Sequence, residues 1–117
     1  MNEKDASIFL EHILESIIDT ESFSKNISKE DLSKNKEKLN AIVRSIEIIG
    51  EAAKNISNSF KEKHMQIPWR KITGTRDVII RHYFGVDLDM VWKIVKEDLS
   101  LLKKQILEIK EKMIAKT

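Results

Sequence analysis

Cysteine is absent from this chain, which excludes disulfides, thiolate catalysis and cysteine-based metal sites. One proline and three glycines in 117 residues leave few positions that interrupt a helix. The longest apolar runs, such as Val78-Ile79-Ile80, are far too short to cross a membrane. The first residues also lack the charged and apolar regions of a signal peptide. We therefore expect a cytoplasmic protein with no membrane partner.

The chain also carries little net charge, since the formal net charge is only +2. A broad basic surface is therefore not expected, which argues against tight, non-specific binding to duplex DNA. A local basic site remains compatible with this composition. Hydrophobic residues make up 41% of the chain and charged residues 34%, which is ordinary for a globular protein. The length predicts a single domain over residues 1–117, with enough chain for a core.

Apolar residues recur at helical spacing through most of the chain. This pattern predicts helices over about 5–20, 36–60, 69–84 and 88–115. The polar stretch 21–38 is predicted to be a loop, with an early helical start near Ser28 or Ser33, and 61–67 is a connector. No segment shows the sustained alternation typical of strands. We therefore predict an all-α, up-and-down bundle of four or five helices that forms a homodimer.

Two helices carry further packing signals. Gly50 and the neighbouring Ala52 and Ala53 are small, which predicts close approach of another helix. The last helix, capped by Asp87 or Asp89, carries a seam of apolar residues at alternating steps of three and four. The seam serves the bundle core, a dimer contact or both, and core packing is the preferred interpretation. It consists of Trp92, Val95, Leu99, Leu102, Ile106, Ile109 and Met113.

The chain concentrates scarce polar residues in the segment 76–87. It holds Arg76 and Arg81, two of four arginines, together with His82 and the single tyrosine, Tyr83. Arginine offers a rigid fork for phosphate, histidine carries a proton near neutral pH, and tyrosine supplies a hydroxyl. These side chains together indicate chemistry on a phosphodiester.

Helix geometry limits how these side chains can meet. On one straight helix, Arg76 and Tyr83 share a face about 10 Å apart along the axis, while His82 lies about 120° around from Arg76. Convergence therefore needs either a frayed helix end near Gly85 or a second copy of the segment. A composite site at a symmetric dimer interface is favoured over a site in one chain.

A purely structural interpretation of the segment also stays open. Asp77 and Arg81 are four residues apart and could form a helix-surface ion pair, while Arg76 could pair with another helix. In that case His82 lies on the surface and Tyr83 packs in the core. Structural ion pairs often imitate functional clusters.

Other sequence signals for metal or nucleotide chemistry are missing. His12 and His64 have no metal-ligand spacing and are expected to be ordinary helix or loop residues. The chain contains no HExxH motif and no glycine-rich phosphate loop. We therefore predict no metal site and no cofactor.

Three blocks of the sequence, 45–54, 67–74 and 76–92, resemble the HepT-like ribonuclease toxins of the HEPN superfamily. The similarity extends over nearly the whole chain. The family signature is arginine, four residues, histidine, one residue, tyrosine. Arg76 and Tyr83 match it, whereas Arg81 stands at the histidine position and His82 follows one place later. Arg76 and His82 still satisfy the looser spacing of the wider superfamily.

The resemblance implies a HEPN-like domain that acts as a metal-independent endoribonuclease. In that scheme Arg76 holds the scissile phosphate, and His82 takes a proton from the ribose 2′-hydroxyl or gives one to the leaving oxygen. Arg81 is a possible electrostatic accessory, since a permanent cation cannot act as a base. RNA is the expected substrate because DNA lacks the 2′-hydroxyl.

The resemblance also implies a protein partner, a MntA-like nucleotidyltransferase antitoxin that attaches AMP to the motif tyrosine, here Tyr83. The anionic adduct next to Arg76 would block the phosphate site. An alternative is a catalytically weak or inactive helical module that partners a nucleotidyltransferase, motivated by the shifted His82. A third hypothesis is a structural protein that dimerises through the seam of the last helix.

Overall fold

The described part of the chain, in a computed structural model, comprises residues 2–79 and 87–115, with the backbone alone for Glu3, Arg76 and Val78. Within these ranges all regular structure is helical, which confirms the all-α class. No described helix combines the length and the apolar character that a membrane span requires. The helices are α1 (Glu3–Ser24), α2 (Lys29–Lys34), α3 (Lys36–Lys54), α4 (Asn58–Lys63), α5 (Trp69–Thr73), α6 (Thr75–Ile79), α7 (Leu88–Lys93), a π-helical turn (Ile94–Asp98) and α8 (Leu99–Ala115).

Helix α1 is longer than predicted because its end tolerates buried hydroxyls. Thr20 and Ser24 each donate a hydrogen bond of 2.8 Å to the carbonyl four residues earlier. Their polar groups are therefore satisfied without solvent, so the helix continues to Ser24 instead of ending near residue 20. At the other end, the Asn2 side chain accepts a hydrogen bond from Asp5 N and caps the helix.

The stretch predicted as a polar loop contains helix α2, which starts at Ser28, the first of the two predicted positions. Ser28 is its N-cap: Ser28 Oγ accepts from Asp31 N, and Asp31 Oδ2 accepts from Ser28 N, each at 3.0 Å. This reciprocal pair is a capping box. The hydrogen bonds from the Ser28 backbone and side chain lower the pKa of Asp31. Leu32, on the inner face of this short helix, is fully buried.

The helix predicted over 36–60 is two helices, α3 and α4. Asn55 ends α3, and Ser57 Oγ accepts from Phe60 N at 3.3 Å to start α4. The prediction missed this break because the apolar period crosses it: Ile56 and Phe60 are both buried. Local capping therefore divides a helix whose hydrophobic pattern is continuous. The connector is correspondingly shorter than predicted and follows Lys63.

Helix α5 packs its backbone closely against α3 at Gly50. A Cβ placed on Gly50 would lie 3.4 Å from the carbonyl oxygen of Ile72 and 3.8 Å from that of Thr73. This confirms the close approach predicted from the small residues of α3. At the start of α5, buried Trp69 donates from Nε1 to the carbonyl of His64 at 3.0 Å. The ring thereby anchors α5 to the connector that precedes it.

The helix predicted over 69–84 is also divided, at Gly74. The N–H of Gly74 donates to the carbonyl of Arg70 at 3.1 Å, which closes α5, and α6 begins at Thr75. The remainder of the predicted helix, after Ile79, lies outside the described residues. With these divisions, the predicted count of four or five helices is not confirmed.

The last helix matches its predicted span, apart from a π-helical turn that separates α7 from α8. Leu99, Leu102, Ile106 and Ile109 of its seam are at most 4% exposed and lie in the core of this single chain. Core packing is therefore confirmed for these four residues of the seam, whereas Trp92 and Met113 are only partly buried.

Two ion pairs orient α8 against α1. Glu11 pairs with Lys110, and Glu21 pairs with Lys103 at 2.9 Å. Because the residue numbers run in opposite directions along the two helices, α1 and α8 are antiparallel. The up-and-down arrangement of the other helices stays a prediction.

The contact at Gly50 generates a stability prediction. We expect Gly50→Leu to lower the free energy of unfolding by about 1–3 kcal/mol, because the larger side chain must displace α5. Gly50→Ala is the control, since its Cβ meets the carbonyls at ordinary contact distance and alanine favours a helix by up to about 1 kcal/mol. Urea unfolding would measure both. Equal stability of the two variants would contradict the close approach.

Candidate active site

The backbone of Arg76 is held by contacts at both ends of α6. At the start, Thr75 Oγ1 donates to the carbonyl of Lys71 at 2.8 Å, and Asp77 N donates to that of Gly74 at 3.1 Å. At the end, Ile79 is fully buried in the core. Arg76 therefore occupies the first turn of a short helix that is fastened to α5 and to the core. The Arg76 side chain lies outside what the structure describes.

A hydrogen bond joins the two ends of the segment 80–86. Asp87 N donates to the carbonyl of Ile79 at 2.8 Å. The side chain of Asp87 accepts from Met90 N at 3.1 Å and thus caps α7. The end of α6 therefore lies next to the start of α7. Of the two predicted caps, Asp87 and Asp89, it is Asp87 that caps α7.

The remaining candidate residues belong to this segment. Arg81, His82 and Tyr83 lie outside the described residues. Whether their side chains converge with Arg76 therefore stays a prediction, as does the alternative ion pair between Asp77 and Arg81. The described structure establishes that the segment is bounded by α6 and by the capped start of α7.

The other predicted capping residue, Asp89, is engaged elsewhere. Its carboxylate pairs with Lys29 at 2.6 Å and connects α7 to α2. Both side chains are substantially exposed, so the pair contributes little to stability. It nevertheless connects α2 to α7, the helix that follows the segment 80–86.

A cavity of about 70 Å³ lies beside α6, between α5 and the last helix. We call it the Gln105 cavity. An ion pair of 3.3 Å between Lys71 and Asp98 spans its wall from α5 to the π-helical turn. Thr75, the residue before Arg76, also lines it. Its apolar boundary includes Ile46, Ile49, Ile72, Ile94, Leu99 and Leu102.

Gln105 also lines the cavity, and its side chain is held in one orientation. Its Nε2 donates to the carbonyl of Gln66 at 2.8 Å, which fixes the orientation of the amide. Its Oε1 is buried and accepts no hydrogen bond from the residues that the structure describes. Sequence reasoning did not single out Lys71, Asp98 or Gln105, because each is an ordinary polar residue on a different element. Only folding brings them to one cavity.

The two described histidines have structural contacts. His12 packs edge-on against Phe9, with ring centroids 6.2 Å apart, and His64 stacks at a tilt on Phe60 at 4.5 Å. His64 also ends α4 and accepts the Trp69 indole hydrogen bond. Both are thus ordinary helix or loop residues, as predicted. Within residues 2–79 and 87–115, no group of histidine or acidic residues could hold a metal ion.

Comparison with known proteins gives a family match over most of the chain. The sequence model of the family described as "Ribonuclease HepT-like" matches residues 13–109. This range includes α6, the segment 80–86 and Gln105. No solved structure shows significant similarity to the chain.

Relatives with names of the same kind cover nearly the whole chain. "Probable ribonuclease HepT" of Thermococcus cleftensis is 48% identical over 81% of this chain and 86% of its own length. "Putative RNase MJ1380" of Methanocaldococcus jannaschii is 42% identical over 91% of this chain and 97% of its own length. A longer protein of the same organism, "Gamma-glutamylcyclotransferase and putative RNase MJ0434", is 46% identical over 94% of this chain. The chain spans 50% of that longer protein's length.

The cap at Asp87 generates a second prediction. We expect Asp87→Ala to lower the free energy of unfolding by about 0.5–2 kcal/mol, since the first turn of α7 loses its side-chain acceptor. Asp87→Ser is the matched control, because a serine hydroxyl can accept the same hydrogen bond from Met90 N. Urea unfolding would distinguish them. If the serine variant is as unstable as the alanine variant, capping is not what Asp87 contributes.

Proposed function

Because the chain belongs to the HepT-like ribonuclease family, we propose that it is an endoribonuclease that cleaves RNA without a metal ion. The observation that carries this proposal is the family match over residues 13–109, which contains Arg76, Arg81, His82 and Tyr83. The names of several relatives, which describe them as RNases, support the same reaction class.

The proposed reaction starts from the ribose 2′-hydroxyl. Its oxygen forms a bond to the adjacent phosphorus while the bond from phosphorus to the 5′-oxygen of the next nucleotide breaks. His82 takes the hydroxyl proton or delivers a proton to the leaving 5′-oxygen, and water exchanges the other proton, so that the products are a 2′,3′-cyclic phosphate and a 5′-hydroxyl. Arg76 binds the phosphate oxygens, where negative charge increases in the transition state. Arg81 adds positive charge but moves no proton, because its guanidinium stays protonated.

We place this reaction in a homodimer. If the segment continued α6 as one straight helix, Arg76 and His82 would lie about 120° apart, so a second copy of the segment offers a direct way to bring the two types of side chain together. Five seam residues are buried in the chain's own core, namely Val95, Leu99, Leu102, Ile106 and Ile109. The proposed dimer contact therefore lies elsewhere, at the part of the surface next to α6.

We further propose that the ribonuclease is the toxin of a toxin–antitoxin pair in the cytoplasm. The partner is a MntA-like nucleotidyltransferase. The Tyr83 oxygen forms a bond to the α-phosphorus of ATP, and pyrophosphate leaves, so that AMP remains on the tyrosine. The bound AMP carries a negative charge into the region of Arg76 and competes there with the RNA phosphate. The family resemblance of the signature segment supports this regulation.

The position of Arg81 favours a second candidate function. It stands at the signature histidine place, and His82 is displaced by one residue. On a helix, one residue turns a side chain by about 100°. A module that binds a nucleotidyltransferase without cleaving RNA would tolerate that displacement, whereas a catalytic histidine requires an exact position.

The cleavage reaction is tested by matched substitutions. We expect Arg76→Ala to lower the rate of RNA cleavage about 10²–10³-fold, because it removes charge stabilisation. His82→Ala should lower it about 10²–10⁴-fold, as expected for loss of proton transfer. Arg44→Ala, at an exposed arginine of α3, and His12→Gln are the controls. Cleavage of total RNA in the presence of EDTA is the measurement.

Mixing the two inactive variants tests the composite site. If Arg76 of one subunit works with His82 of the other, a heterodimer of Arg76→Ala and His82→Ala contains one complete site. Equal mixing with subunit exchange should then restore about a quarter of the wild-type activity. Absence of any restoration would contradict the composite site. Unchanged cleavage by both single variants would contradict the catalytic roles and favour the binding module.

Modification of Tyr83 gives a separate prediction. Co-expression with the neighbouring nucleotidyltransferase should increase the intact mass by one or more AMP groups and should suppress RNA cleavage. Peptide mapping should locate an AMP group on Tyr83. Tyr83→Phe is the control, since it keeps the ring and removes the attacking oxygen. AMP addition to the phenylalanine variant at the wild-type level would contradict Tyr83 as the acceptor.

A further inference from the structure

Positive charge is concentrated around one open groove on the surface at α5. We call it the Met65 groove. The stretch 61–71 contains three lysines, one arginine and one glutamate, a net charge of +3, whereas the whole chain carries only +2. The rest of the chain is therefore slightly negative, and the groove is a local basic site. It is lined by Met65, Ile67, Pro68, Trp69, Arg70 and Lys71.

Two of these cations are not neutralised by neighbouring carboxylates. Arg70 is exposed, and neither Arg70 nor Lys61 forms an ion pair with any residue in the described ranges 2–79 and 87–115. The single acidic residue of the stretch, Glu62, is exposed and pairs with neither of them. Lys71, by contrast, pairs with Asp98 at 3.3 Å. The groove therefore has positive charge that an anionic ligand can neutralise.

Lys61 adds its charge next to the Trp69 ring. Its Nζ lies 5.9 Å from the ring centroid, and the indole itself is held by its hydrogen bond to the carbonyl of His64. Partial burial lowers the pKa of Lys61, because the ammonium loses solvent there. A nearby anion favours the charged form of such a group. Lys61 is therefore a second position, beside Arg70, at which an anionic group would be stabilised.

The groove also presents an apolar group among its cations. The side chain of Met65 is 79% exposed, and Pro68, which lines the same groove, is exposed as well. The centre of a protein–protein interface is usually apolar and depleted of lysine, which does not fit this composition. Single-stranded nucleic acid fits it, because the strand offers phosphates to the cations and the faces of unstacked bases to the thioether. A duplex keeps its bases stacked inside and would leave Met65 uncovered.

Backbone contacts connect the groove to α6, the helix that carries the backbone of Arg76. The carbonyl of Arg70 accepts a hydrogen bond from Gly74 N at 3.1 Å. The carbonyl of Lys71 accepts one from Thr75 Oγ1 at 2.8 Å. These contacts fix α5 relative to the first turn of α6 through the backbone and Thr75 alone. A strand bound in the groove therefore lies next to α6.

We propose that the Met65 groove is a binding site for single-stranded RNA, in which Arg70 and Lys61 contact phosphates and Met65 packs against a base. The proposal rests on the proposed ribonuclease function for the identity of the nucleic acid. The groove holds the strand beside the candidate active site and takes no part in the chemistry. Phosphate contacts and an apolar surface read no base pattern, so we expect binding to tolerate different sequences.

The binding test uses a fluorescently labelled oligonucleotide of about twelve 2′-O-methyluridines, which has no free 2′-hydroxyl and therefore cannot be cleaved. Fluorescence anisotropy with the full-length protein measures its affinity at several salt concentrations. We expect the double variant Lys61→Gln, Arg70→Gln to bind about tenfold more weakly than the wild type. The slope of log affinity against log salt should fall by about 1.4, since each phosphate contact with a single strand contributes about 0.7.

A second double variant, Lys34→Gln, Arg44→Gln, is the charge-matched control. Both side chains are at least 70% exposed, and neither lines the groove. The control loses the same net charge as the groove variant. It should therefore keep nearly the wild-type affinity and salt slope if binding depends on the position of the cations.

Met65→Ser separates the apolar contact from the charges. It should weaken binding of the same oligonucleotide about 2–10-fold, because a contact between the thioether and an aromatic ring is lost. The salt slope should not change, since no cation is removed. Ile8→Ser is the matched control, because Ile8 is an exposed apolar residue of α1, outside the groove. Met65 is 79% exposed, so its replacement leaves the core intact.

Cleavage of total RNA by the wild-type protein separates the groove from the proposed function. If the groove variant binds the oligonucleotide like its charge-matched control, the groove is overturned, and its cations serve only the ends of α4 and α5. RNA cleavage by the wild type would then still support the ribonuclease. Selective loss of binding in the groove variant, with no cleavage by the wild type, would retain the groove and refute the ribonuclease. Loss of nucleotidyltransferase binding with unchanged oligonucleotide binding would assign the groove to a protein partner and overturn the RNA site.

Discussion

Burial of aliphatic side chains along the long helices α1, α3 and α8 is the constraint on which the rest of the fold depends. Each contributes fully or nearly fully buried residues to one core, among them Ile13, Ile46 and Ile106. The chain has no disulfide, and its formal charges almost balance, so this burial is its main source of stability. Helices as short as α2, α4, α5 and α6 are not stable alone in water. They persist because each covers part of the same core, and their positions follow from what they cover.

The candidate active site is built on these short elements. Gly50 allows α5 to approach α3, Gly74 ends α5, and buried Ile79 holds the end of α6. Arg76 stands between those fixed points. The hydrogen bond between Asp87 and Ile79 then brings the end of the segment 80–86 back to its start. A short helix fastened at both ends fixes the backbone position of Arg76 with few residues.

The proposed RNA site lies next to a cavity between the helices. Arg76 follows Thr75 in α6, and Thr75 lines the Gln105 cavity together with residues of α3, α5 and the last helix. With a net charge of only +2, the protein has no general attraction for nucleic acid comparable to that of a basic surface. The proposed recognition of RNA depends instead on a few directed contacts, such as that of the Arg76 guanidinium with a phosphate.

The amino-acid sequence by itself determined the all-α class, the span of the last helix, its buried seam and the close contact at Gly50. A long apolar period marks the buried face of a helix, and a run of small residues marks where another helix can approach. The sequence also indicated Asp87 as a cap and concentrated the candidate catalytic residues in one segment. The breaks after Lys54 and at Gly74 were not predictable from periodicity, since Ile56 and Phe60 continue the apolar pattern beyond the first break. Only the tertiary structure decided where caps and packing stop each helix. It alone assembled Lys71, Asp98 and Gln105 around one cavity, because residues far apart in sequence become neighbours only when the helices pack.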